Sequence, residues 1–138
     1  MKDELKYIID KEKNIVICIG EDCSRDLISD LRSKSSVFSN YTKHLTDILF
    51  FYCEPQLMLN HKYTGVAYCS PFDVFDIEIG KKIARNKMRR KYNASKAKKI
   101  NKIFDELSDV MDILDDNATY YENKAYDHNE VIQEYRED

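Results

Sequence analysis

Three glycines and two prolines in 138 residues constrain this chain more than any other feature. Those two residues supply most tight turns and breaks, so a sequence nearly without them is read as a few long regular elements. The length suits one domain, 1–138, with a core that needs no disulfide or metal to hold it. Hydrophobic residues make up 43% and charged residues 34% of the chain, which predicts a folded and soluble protein. No stretch approaches the roughly 20 apolar residues of a membrane span, and the opening Met1-Lys2-Asp3-Glu4-Leu5 is followed by no signal-peptide run. A cytoplasmic protein without a membrane partner is expected. Cys18, Cys23, Cys53 and Cys69 form no Cys-x-x-Cys, so buried reduced thiols are the expectation rather than a zinc site.

The apolar pattern predicts an α+β fold: a small antiparallel sheet packed with two or three C-terminal helices. In residues 6–19 two β-branched runs flank the charged loop Asp10-Lys11-Glu12-Lys13-Asn14, which reads as an N-terminal hairpin. Residues 63–69 read as a third strand, ending at Ser70-Pro71. Between them, Asp22 or Ser24 is placed to cap a helix running to about Arg32, which Ser33-Lys34-Ser35-Ser36 then ends. The apolar stretch within 40–60 is too irregular for periodicity to choose helix or strand. Ser70-Pro71-Phe72-Asp73 has a cap hydroxyl, a proline at the first helical position and an acid three residues after the cap, so a helix is expected over 70–92. Asp76 is a second cap candidate. Asn93-Ala94-Ser95 is expected to separate this helix from another over 95–136. That second helix carries Ile100, Ile103, Phe104, Leu107, Val110, Met111 and Leu114 as a stripe that needs a partner.

Charge is distributed more unevenly than its total of −3 suggests. Residues 81–102 hold eleven lysines and arginines and no acid, while residues 103–138 hold twelve acids against Lys124 and Arg136. A solvated helix face normally alternates its signs. Such separation suits pairing between subunits, or a cationic surface for a phosphate-bearing ligand. Double-stranded DNA is disfavoured, since there is no helix-turn-helix signature and the acidic part would repel a duplex. A compact nucleotide escapes that repulsion. Lys81, Arg85, Asn86, Arg89 and Arg90 are the candidate phosphate and polar contacts, with Phe75 and Tyr92 as stacking surfaces beside Tyr68 and Phe72. For Phe72 and Phe75 the competing reading is core packing.

No catalytic constellation is visible. His44, His61 and His128 stand apart from any ligand-spaced Cys or carboxylate, and there is no glycine-rich phosphate loop and no Gly-x-Ser-x-Gly. Asp73, Asp76 and Glu78 read better as helix-start acids than as a metal or acid–base site. A non-enzyme with no cofactor and no metal is expected.

The segment Tyr63-Thr-Gly-Val-Ala-Tyr-Cys-Ser-Pro-Phe-Asp-Val-Phe-Asp-Ile-Glu-Ile-Gly-Lys-Lys-Ile-Ala84 resembles a pattern of small phage and prophage proteins of Gram-positive bacteria. There a strand ending Ala-x-Cys-Ser/His-Pro-x-Asp precedes x-Phe-Asp-x-x-x-Gly-Lys-Lys-Ile/Leu-Ala. With the Ile-Ile-Asp-Lys-Glu-Lys-Asn strand pair ahead of it, the chain resembles the phage Thoeris anti-defence family, sponges for cyclic ADP-ribose signals. The resemblance implies a homo-oligomer, dimer or hexamer, that holds a cyclic nucleotide without cleaving it in the cytoplasm of the infected host. Cyclic oligonucleotides are also implied as ligands. Residues 24–62 read as an insertion relative to the compact form of the family. Within the motif, Ser70 and Pro71 are expected to cap, Gly80 to allow close helix–strand approach, and Ile79, Ile83 and Ala84 to pack. The alternative is a phage inhibitor that binds a host defence protein directly, in the manner of an anti-CRISPR, with the acidic tail mimicking nucleic acid.

Overall fold

The computed structural model describes Met1, residues 4–35 and residues 40–136. It is an α+β fold with a three-stranded antiparallel sheet. Strands β1 (Lys6–Asp10), β2 (Ile15–Gly20) and β3 (Tyr63–Tyr68) lie in the order β1-β2-β3. Helices α1 (Asp26–Ser35) and α2 (Asn40–Leu57) fall between β2 and β3, and α3 (Ile77–Arg136) follows. The chain divides into two compact units, 1–100 and 101–138.

In the first unit the expected hairpin forms around residues 11–14, with Asp10 opposite Ile15. Asn14 takes a left-handed backbone conformation (φ 54°), which asparagine tolerates better than most residues. The Lys13 amide donates to the Asp10 carboxylate, closing the loop locally. Alternation along the strands then sorts the two faces of the sheet. Val16, Cys18 and Gly20 pair with Ala67, Gly65 and Tyr63, and all six are buried on the face that carries α3. Ile15, Ile17 and Ile19 point to the opposite face. At the free edge of β3 the Lys87 ammonium donates to the Val66 carbonyl at 3.1 Å, occupying a group that could template another strand.

Helix α3 reaches the sheet through Gly80, Ala84, Met88 and Tyr92, one residue per turn and all buried. Two glycines set how closely it lies. A Cβ on Gly65 would run into the Ala84 carbonyl oxygen and the Met88 amide nitrogen, and one on Gly80 would meet Val16 Cγ2 at 2.7 Å. Gly80 therefore acts as expected, and Gly65 is its counterpart on the strand. Leu27, Ile28, Leu57 and Leu59, from the segment read as an insertion, complete the core with Cys23.

Several expectations are corrected. The helix does not begin at Ser70. Residues 70–73 instead make a turn in which the Asp73 amide donates to the Ser70 carbonyl and the Phe72 amide to the Ser70 hydroxyl. Asp76 is the cap, its Oδ1 accepting from the amides of Glu78 and Ile79 at 2.9 and 3.2 Å, and α3 starts at Ile77. Nor does the helix break at 93–95. These residues are helical because none removes a backbone donor, and Ser95 is held by the Tyr63 hydroxyl, which donates to it at 2.7 Å. The C-terminal helix is thus one, not two or three. Ile79 and Ile83 are 57% and 44% exposed rather than packed. The ambiguous 40–60 stretch is α2, ending two residues after Pro55. Helix α1 ends at Ser35, inside the polar stretch expected to end it but three residues beyond Arg32, with the Ser33 and Ser35 hydroxyls donating to the carbonyls of Asp30 and Arg32. Ser36 lies outside the described residues.

Candidate anion-binding flank of the long helix

Of the seven residues read as ligand contacts, six lie on α3, which sorts them into three directions, and Phe75 precedes it. Tyr92 faces inward. It is 8% exposed, its hydroxyl donates to Asp26 at 2.6 Å, and its ring meets Tyr63 edge to face at 5.6 Å. Burial, then the hydrogen bond to Asp26, pushes its hydroxyl pKa up to about 12. The Lys96 ammonium sits 4.3 Å from the Tyr92 ring centroid and donates to Asp30 at 2.7 Å. Burial opposes the ammonium, but hydrogen bonds to Asp30 and Tyr92 outweigh it and raise the Lys96 pKa. Tyr92 is therefore a packing and positioning residue with no free face for a base.

Asn86 and Arg90 are exposed. They lie about 200° around the helix from Ala84 and Met88, on the side away from the sheet. Phe75 is half-buried in the loop before α3, in a cleft of about 240 Å³ with Ala67, Cys69, Ile79 and Ile83. Asp73 and Asp76 also line that cleft, so its charge opposes a phosphate. It is also smaller than the roughly 300–1,000 Å³ of most ligand pockets.

Lys81, Arg85 and Arg89 are different. Spaced by four, they share one flank of α3 beside the inward row, over β1 and β2. The Lys81 ammonium lies 5.4 Å from the Tyr7 ring centroid and 3.7 Å from Glu78. Arg85 and Arg89 both reach Cys18 electrostatically: burial raises its thiol pKa, and these two cations with a Tyr7 hydrogen bond only partly offset that. Arg85 Nε is buried with no hydrogen-bond partner, the one such side-chain atom among the described residues. A buried guanidinium nitrogen left unbonded carries a desolvation cost that an acceptor would remove.

Comparison of the chain with protein-family models, curated proteins and solved structures finds no match. The flank offers a planar donor group, two flexible or exposed cations and an aromatic ring, which suit a compact anion carrying phosphate. Tyr7 is the member that the reading of residues 81–92 missed. Its signal was available in the strand alternation, which puts Tyr7 opposite Cys18 on the helix-bearing face. Among the described residues no group of three or more His, Cys, Asp or Glu is arranged to hold a metal ion, and no helix is long and apolar enough to cross a membrane. Of the four thiols, Cys18 and Cys23 are buried as expected, whereas Cys53 and Cys69 are only half-buried.

Proposed function

We propose that the chain is a phage anti-defence protein that binds a cyclic nucleotide immune signal, a cyclic ADP-ribose isomer or a cyclic oligonucleotide, and sequesters it without cleaving it. The observation that carries this reading is the Lys81–Arg85–Arg89 flank beside Tyr7, with the buried Nε of Arg85 lacking an acceptor. Phosphate oxygens fill that deficit, and the neighbouring cations add charge. Sequestration needs donors and a ring but no nucleophile and no base of tuned pKa. Protection is then stoichiometric, since free signal falls only while sites outnumber ligand.

The test is calorimetric titration with cyclic ADP-ribose and with a cyclic dinucleotide, followed by heat denaturation and chromatography of the released ligand. Binding with recovery of unmodified ligand is expected. Arg85→Ala and Arg89→Ala should each weaken it by about 1–3 kcal/mol, roughly fivefold to 150-fold, whereas Arg90→Ala on the outer side should change it little. A cleaved product would reveal an active site. Absence of binding to either nucleotide favours the second reading, a direct inhibitor of a host defence protein. Its supporting observation is the exposed acidic helix beyond residue 103, and its test is co-purification of a host nuclease competed by nucleic acid.

A further inference from the structure

Residues 101–138 form a compact unit of their own, and within it the apolar side chains of α3 are uncovered. Phe104, Met111, Leu114 and Tyr121 are 67, 67, 64 and 66% exposed. Read in sevens from Phe104, the first position holds Phe104, Met111, Ala118, Ala125 and Ile132, and the fourth holds Leu107, Leu114, Tyr121, His128 and Tyr135. Only His128 interrupts an apolar set that runs the length of the segment. A repeat averaging 3.5 residues keeps one seam facing a partner helix as the two wind together. The acids avoid the seam: of those between residues 105 and 134, only Asp115 and Glu122 stand at its margin, and the rest occupy outer positions.

We propose that this seam docks a second copy of the same chain, with the two helices antiparallel. The occupant follows from the way the seam complements itself. Side by side in parallel register, Ala118 would face Ala118 and Tyr121 would face Tyr121, leaving one layer empty and the next overfilled. Reversed about the midpoint of residues 119 and 120, Ala118 faces Tyr121 and Ala125 faces Leu114, and the reciprocal contacts recur on the other side of the two-fold axis. A helix of this length is about 50 Å long and 10–12 Å across, so two seams in contact cover on the order of 1,000–1,300 Å² in total, near the lower bound for a specific interface. No ligand is required, so this proposal stands or falls apart from the nucleotide reading.

Sedimentation equilibrium of the full chain at about 50 μM tests the association, with a dimer or an even multiple expected and a monomer overturning it. Leu107→Glu combined with Leu114→Glu should yield monomer while leaving the melting of the sheet-bearing unit unchanged, and a variant that stays dimeric overturns the assignment to this seam. Direction is read by double electron–electron resonance from a spin label at Gln133, introduced as a non-natural amino acid because the chain has four cysteines. Antiparallel pairing displaces the two labels by about 40 Å along the axis, since residue 133 then lies beside residue 106 of the second copy. A separation below about 30 Å overturns it.

Discussion

Gly65→Ala is the sharpest test of how the helix-bearing core is built. No glycine of the described chain has positive φ, so the substitution meets no conformational objection at this strand position. Its obstacle is contact alone. The new Cβ runs into the Ala84 carbonyl oxygen and the Met88 amide nitrogen, both helix backbone atoms that no rotamer change can move aside. The helix must lift, and lifting it loosens Ala84 and Met88, each 0% exposed. Overpacking of a tight core costs about 1–3 kcal/mol, and with backbone on both sides the upper figure applies. For a unit of this size 1 kcal/mol shifts Tm by about 4–8 °C, so a fall of about 12–24 °C is expected by scanning calorimetry of the full chain. Gly80→Ala is the internal control. Its Cβ meets only the Val16 side chain, and helix propensity returns up to about 1 kcal/mol, so it should cost clearly less, and Val16→Ala should relieve part of that cost. A folded Gly65→Ala protein melting within about 3 °C of the wild type would refute the close-approach argument.

Two further outcomes follow from the buried titratable groups. The folded state raises the Tyr92 hydroxyl pKa from 10 to about 12, favouring the neutral phenol, so its contribution is complete below pH 10 and is lost as pH rises through 12; denaturant titrations should show about 2–3 kcal/mol of that loss in the wild type and not in Tyr92→Phe. Burial raises the thiol pKa of Cys18 and Cys23, so iodoacetamide at pH 8 should alkylate the half-buried Cys53 and Cys69 first, and mass spectrometry finding Cys18 modified early in native protein would contradict the packing.

The strands were legible because β-branched runs bounded by turn residues are a local signal. Which face the helix covers was not, since β2 is apolar on both: Val16 and Cys18 are buried under α3 while Ile15, Ile17 and Ile19 lie on the other side. Helix boundaries were less legible because cap chemistry is degenerate. Ser70 and Asp76 both offer a side-chain acceptor before an apolar run, and what separates them is that Ser70 closes a turn on Asp73 while Asp76 faces the free amides of α3. The continuity of α3 through 93–95 had no positive sequence mark either. It follows from what is missing there, a glycine or proline, and from long-range ties of Tyr92 to Asp26 and of Ser95 to Tyr63 that no local window contains.

The candidate site shows the same division between linear and angular information. Eleven cations in 81–102 announce a basic segment, but a helix distributes consecutive residues about 100° apart, so adjacency in sequence spreads them around the axis. Once Ala84 and Met88 fix the inward direction, the same helix assigns Arg90 to the far side, Tyr92 to the core and Lys81, Arg85 and Arg89 to one flank. The spacing of four was readable from the start; which column mattered was not, because it depends on which row the sheet covers. That choice is made by Gly65 and Gly80, whose missing side chains let the row of Ala84 and Met88 lie against the strands. Packing thus decides which of the eleven cations share a flank. The closeness that buries Met88 leaves Arg85 Nε out of solvent without an acceptor, so the basic flank is also where, among the described residues, a buried side-chain donor goes unmet.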